Sequence, residues 1–132
     1  MLFVDANVFI YAAFESGEEA VKSKQILKKI SSGEENAITS SLVIDEVAWV
    51  FHKNNKKSLL RQALEKIYLI PNLQVLPVSS NAPLTALGYM EKYGLKPRDA
   101  LHCAVMQENG VKTICSFDAD FDKVKEIKRM EP

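Results

Sequence analysis

Four acidic residues, Asp5, Glu46, Asp99 and Asp118, stand where carboxylates from distant parts of the chain could act on one ion. Asp5 directly follows the apolar run Met1 to Val4, and Asp118 follows Lys112 to Cys115 after two residues. Both runs read as buried strands. If they lie parallel in one sheet, their carboxylates emerge at the same edge, where open α/β sheets place functional groups. Each acid also has an ordinary explanation. Asp5 suits a turn or helix cap, Asp99 suits the positive end of a helix dipole, and a lone Glu on a helix normally faces water. Glu46, however, lies among Ile44, Val47, Ala48, Trp49 and Val50, so a partner such as a metal ion is expected for it, while Asp45 reads as the solvated neighbour. Hard oxygen donors in such a set suit magnesium or manganese. Clustered carboxylates repel one another, so at least one raised pKa is expected before metal binds.

The elements that must position these acids alternate between short apolar runs and longer helical patterns. Strands are expected at residues 1–4, 37–39, 73–76 and 112–115, with an edge strand at 128–130. Helices are expected at 8–13, 18–30, from Ser40 or Ser41 to about His52, at 56–70, from Pro83 to about Tyr93, and from Pro97 to Asn109-Gly110. The third of these is so apolar that it is expected to be largely buried, Trp49 included. The 56–70 helix is expected to turn Leu59, Leu60, Leu64, Ile67 and Tyr68 inward. Strands alternating with helices imply an α/β fold with a mostly parallel sheet.

The 132 residues suit a single domain spanning 1–132. Hydrophobic residues make up 47% and charged residues 26%, as expected of a soluble globular protein. The N-terminal run reaches an acid too early for a signal peptide, and no stretch approaches the ~20 apolar residues of a membrane span, so a cytoplasmic location is expected. Two cysteines, Cys103 and Cys115, are too few for a disulfide framework and read as buried thiols. Lys plus Arg equals Asp plus Glu, at 17 each, which excludes nucleic-acid binding by bulk positive charge but leaves room for a local basic rim. Lys53, Lys56, Lys57 and Arg61 form one candidate rim; Lys92, Lys96 and Arg98 form another. His102 shares a helix face with Asp99 and reads as a packed or locally hydrogen-bonded histidine, and His52 as a helix-end residue.

Four segments resemble the motifs of the PIN domain, found in VapC-type toxins and related small nucleases. They are Phe3-Val4-Asp5-Ala6-Asn7-Val8, Ser40-Ser41-Leu42-Val43-Ile44-Asp45-Glu46-Val47, Pro97-Arg98-Asp99-Ala100-Leu101-His102 and Ile114-Cys115-Ser116-Phe117-Asp118-Ala119-Asp120-Phe121. The resemblance covers essentially the whole chain. It implies a three-layer α/β/α sandwich and magnesium- or manganese-dependent cleavage of RNA. It implies Asp5, Glu46, Asp99 and Asp118 as metal ligands and catalytic residues, with Asn7 and Ser116 orienting them. In the last motif Asp118 is the better match and Asp120 a candidate helper. An RNA substrate, an antitoxin partner and a homodimer are further expectations of the resemblance. Two other readings compete. One is a PIN-fold module that binds RNA or protein with little catalysis. The other is a phosphatase or phosphoacceptor domain, which would want a second acid two places after the first; here that place is Asn7.

Overall fold

The computed structural model describes residues 1–14 and 16–132. Strand β1 (Leu2–Val4) leads into α1 (Ala6–Phe14) and α2 (Glu18–Ser32), followed by β2 (Ala37–Ser40), α3 (Ser41–Lys53), α4 (Lys57–Tyr68) and β3 (Leu73–Leu76). The second part runs α5 (Ala82–Tyr93), α6 (Pro97–Glu108), β4 (Thr113–Cys115), a 3₁₀ turn (Ala119–Lys123) and β5 (Lys128–Met130). The elements agree with the sequence pattern apart from residues 119–123, where the pattern predicts no helix or strand. There the Asp118 carboxylate accepts a hydrogen bond from the Asp120 N–H at 2.9 Å and starts a short turn of helix.

All strand pairings are parallel, and the sheet order is β3-β2-β1-β4-β5. The chain steps outward from β1 through β2 to β3, then returns across the sheet to β4 and β5. Right-handed crossovers therefore place α1 to α4 on one face and α5 and α6 on the other, giving three layers. The reversal of direction falls between β1 and β4, the topological switch point where such sheets open a crevice. Register aligns Leu2 with Thr113, Phe3 with Ile114 and Val4 with Cys115, which sets Asp5 beside Ser116 at that crevice.

Phe3, Val4, Ile38, Ile114 and Cys115 form the sheet's share of the core. Against them pack Val43, Val47 and Phe51 from α3 and Ala100, Cys103, Val105 and Met106 from α6. Both cysteines are free and buried, and burial pushes each thiol up to about 12. Three apolar residues depart from expectation. Trp49 is 53% exposed, and Leu59 and Tyr68 also lie largely in solvent. Helix α3 buries only the stripe Val43, Ile44, Val47 and Phe51, because a helix between sheet and solvent seals one face however apolar its other side is. Asp45 is exposed, as expected. Among the described residues, no helix is long and apolar enough to cross a membrane.

Candidate functional site

Asp5 is fixed as strand β1 ends. Its N–H donates to the Cys115 carbonyl at 3.1 Å, and its carboxylate accepts from the Ala6 N–H at 2.8 Å. The Ser116 hydroxyl donates to Asp5 Oδ2 at 2.6 Å, and Asn7 Nδ2 donates to the same oxygen at 3.1 Å. Ser116 Oγ in turn accepts from Asn7 Nδ2 at 3.1 Å and from the Asp118 N–H at 3.0 Å. Phe117 N–H completes the ring by donating to Asn7 Oδ1 at 3.3 Å. Asn7 and Ser116 thus tie together two segments more than a hundred residues apart and orient the acids of both. Arg129 braces the same loop from β5, donating to the Ser116 carbonyl at 3.2 Å and gripping Asp122 at 2.9 and 3.0 Å.

Glu46 reaches the site from the second turn of α3. That helix starts at the carboxyl end of β2, where Ser40 accepts from the Val43 N–H at 3.3 Å and caps it. Asp99 sits in the first turn of α6, which Pro97 opens. Because α6 runs back toward β4, its N-terminus lies at the same sheet edge. A cleft of about 350 Å³ is lined by Asp5, Asn7, Glu46, Asp99 and Asp118, with Arg98 and Lys53 also on its wall. The structure therefore brings the four acids singled out by the sequence to one place. A larger cavity of about 680 Å³, between α5, α6 and the segment before β5, contains none of them. Converging carboxylates rather than volume mark the functional cleft.

In and behind its wall the ligand atoms fall into two groups, each with its members within 4.8 Å of one another. One is Asp5, Glu46 and His102; the other is Asp99, Asp118 and Asp120. Asp118 lines the cleft, and Asp120 stands beside it, 3.5 Å from Lys123.

His102, expected as a packed or locally hydrogen-bonded histidine, is packed in this way, but against the acids of the site itself. It is fully buried, packs its ring 5.4 Å from that of Phe3, and places Nε2 2.7 Å from Glu46 Oε1 and 3.8 Å from Asp5 Oδ1. The 2.7 Å approach is off the axis of a good hydrogen bond, and Nδ1 has no partner among the described residues. It is a charge-assisted contact, for both atoms are buried and have no other hydrogen-bond partner among the described residues. The shared helix face with Asp99 was legible in the sequence, but the contacts to Glu46 and Asp5 are tertiary.

The electrostatics express burial first and crowding second. Burial is the main cause raising the Asp5 pKa above its ordinary value; His102 and the bonds from Ser116 and Ala6 oppose it. Asp99 is raised to about 6, first by desolvation and then by the negative charge of Asp118. Desolvation works against the charged form of His102, yet the contact with Glu46 and the charges of Asp5 and Asp99 together hold its pKa above the ordinary value. A carboxylate site under this repulsion is suited to a divalent cation, and its all-oxygen outer group fits magnesium or manganese chemically.

A family model described as "PIN domain" matches residues 2–127. A VapC ribonuclease of Mycobacterium bovis is 28% identical over 131 residues, covering 98% of this chain and 99% of that protein. The Mycobacterium tuberculosis toxin VapC20, described as cleaving the sarcin-ricin loop, has the same fold. It superposes with a TM-score of 0.79 at 18% identity, with both chains fully covered. A toxin-antitoxin complex from Klebsiella pneumoniae contains a chain superposing with a TM-score of 0.69 at 19% identity, over 96% of this chain and 95% of that one.

Proposed function

The chain belongs to the PIN domain family, and from that premise we propose that it is a divalent-metal-dependent endoribonuclease that hydrolyses RNA phosphodiester bonds as the toxin of a toxin-antitoxin pair. The observation that carries this reading is the convergence of Asp5, Glu46, Asp99 and Asp118 on one cleft at the switch point of the sheet. The ribonuclease name of the Mycobacterium bovis relative and the toxin-antitoxin complex from Klebsiella pneumoniae support substrate and partner. In this reading residues 1–132 act as one PIN-like unit in the cytoplasm and form a homodimer.

Asp5, Glu46, Asp99 and Asp118 would hold magnesium or manganese, with Asp120 assisting Asp118. When bound, such an ion lowers the pKa of a water and neutralises charge on the phosphate. Asp5 is held ready by Ser116, Asn7 and the Ala6 N–H, so it need not reorganise to ligate. His102 keeps Glu46 turned toward Asp5. Arg98 and Lys53 offer positive charge on the cleft wall for phosphates flanking the bond to be cut. Asn7 spends its amide on Asp5 and Ser116 as a hydrogen-bond donor, a positioning role rather than the proton transfer a phosphatase would ask of an acid there.

The test is cleavage of single-stranded RNA by the wild type and by Asp5→Asn, with magnesium, manganese or a chelator. Cleavage that depends on metal and drops at least about a hundredfold in the variant is expected. Equal cleavage by both proteins would trace the activity to a contaminant and withdraw the assignment.

A further inference from the structure

Helix α3 carries Glu46, Trp49, Val50 and Lys53 at spacings of three, four and seven, which puts them on one face. All four line the acidic cleft. Trp49 is the single tryptophan of the chain and is 53% exposed, although its neighbours Val47 and Phe51 are buried. One side of the indole leans on the exposed ring of His52, with centroids 5.7 Å apart and planes at 34°. A large aromatic surface therefore stands in solvent less than one helical turn from Glu46, about 4.5 Å along the helix axis. Burial in the core does not account for it.

The charges around it narrow what could cover it. Lys53 and Arg98 share the cleft wall with Trp49, and Lys96 continues the basic rim beside Arg98. The chain as a whole has no net charge, so these cations are a local feature. A flat aromatic between cations, at the mouth of an acidic cleft, matches a ligand that alternates planar rings with negative charges. Such is the chemistry of single-stranded nucleic acid, whose bases stack on aromatic side chains while its phosphates meet Lys and Arg. In an A-form duplex the base faces are already stacked, so the platform would find no ring to take.

We propose that Trp49 is a stacking platform for an unpaired nucleobase next to the scissile phosphate, with Lys53 and Arg98 taking neighbouring phosphates. This rests on the ribonuclease reading and deepens it, assigning Trp49 of this chain as the residue that holds a base beside the cleft. Trp49 is a binding residue for the base.

The single tryptophan is its own reporter. In an Asp5→Asn background, which prevents cleavage, a fluorescein-labelled single-stranded RNA of mixed sequence, about 12 nucleotides long, is titrated against the protein. Anisotropy reads total binding, and indole emission reads stacking. The expected result is binding accompanied by quenching. Trp49→Ala then weakens binding about 5- to 100-fold with unchanged melting temperature, Trp49→Phe recovers most of the loss, and a duplex of the same length binds without quenching. An RNA backbone lacking bases is likewise expected to leave the emission unchanged. Binding with no quenching, and the same affinity in Trp49→Ala, overturns the platform while leaving the nuclease reading intact. No anisotropy change with any RNA overturns both. A concentration-dependent emission shift without RNA, lost together with self-association in Trp49→Ala, places the indole in a contact between copies and overturns the proposal as well.

Discussion

Replacing Asp99 with Asn is expected to stabilise the metal-free protein at neutral pH while destroying its metal response. The Asp99 carboxyl rises from 3.8 to about 6 in the fold, chiefly through desolvation and then through the charge of Asp118. A raised acid penalises folding wherever the unfolded chain would ionise it. Well below 3.8 the carboxyl is protonated in both folded and unfolded chains and costs nothing. Between 3.8 and about 6 the folded protein binds more protons than the unfolded one, so stability falls as pH rises; above about 6 the penalty is complete. The full difference corresponds to roughly 3 kcal/mol at 1.36 kcal/mol per tenfold. Solvent reaches part of the carboxyl and screens the repulsion, bringing the expected penalty to about 1 to 1.5 kcal/mol. Asn keeps the shape and removes the charge, so its melting temperature in chelator at pH 7.5 should exceed that of the wild type by about 3 to 6 °C. The gap should shrink toward about pH 4 and close at about pH 3. Divalent cation should reverse the order, because an ion at about a hundred times its dissociation constant adds about 2.7 kcal/mol to the wild type alone. Thermal unfolding across pH, with and without manganese, measures all three. A variant no more stable than the wild type at pH 7.5 in chelator would refute the claim that burial and the charge of Asp118 penalise the ionised Asp99.

Two further perturbations probe the groups that hold the acids. His102→Ala strands the buried Glu46 Oε1 without its 2.7 Å partner, and a loss of about 3 kcal/mol in urea unfolding is expected. Because the folded pKa of His102 lies above its ordinary 6.5, this deficit should be full below about pH 6.5 and narrow as the pH rises through the folded value; a deficit that widens at alkaline pH would contradict the pairing. Ser116→Ala removes the donor to Asp5 Oδ2 and the acceptor shared by Asn7 and Asp118. Calorimetric titration with manganese should show about 10- to 100-fold weaker binding, and unchanged affinity would mean that Asp5 needs no such support.

How far the chain could be read without coordinates is clear from particular residues. Leu2-Phe3-Val4 and Thr113-Ile114-Cys115 announce buried strands because three consecutive apolar or β-branched residues have few other uses, and Pro97 and Gly94 mark helix ends through backbone restrictions of their own. Asp5, Glu46, Asp99 and Asp118 each had an ordinary explanation alone and were singled out by their joint place relative to those elements and by the resemblance to PIN-domain motifs. These signals lie within a few residues of one another, so local propensity carries them. The alternation of strands and helices already implied a mostly parallel sheet; the tertiary structure alone decided the strand order, and that Asp5 and Glu46 share His102 while Asp99 groups with Asp118 and Asp120. It also decided that Trp49 faces solvent at the cleft. The bond from Ser116 to Asp5 spans 111 residues, and the approach of His102 to Glu46 depends on how two helices on opposite faces of the sheet meet over its edge. Such meetings are set by strand register and crossover hand, which belong to the assembled sheet and to no short stretch of the chain.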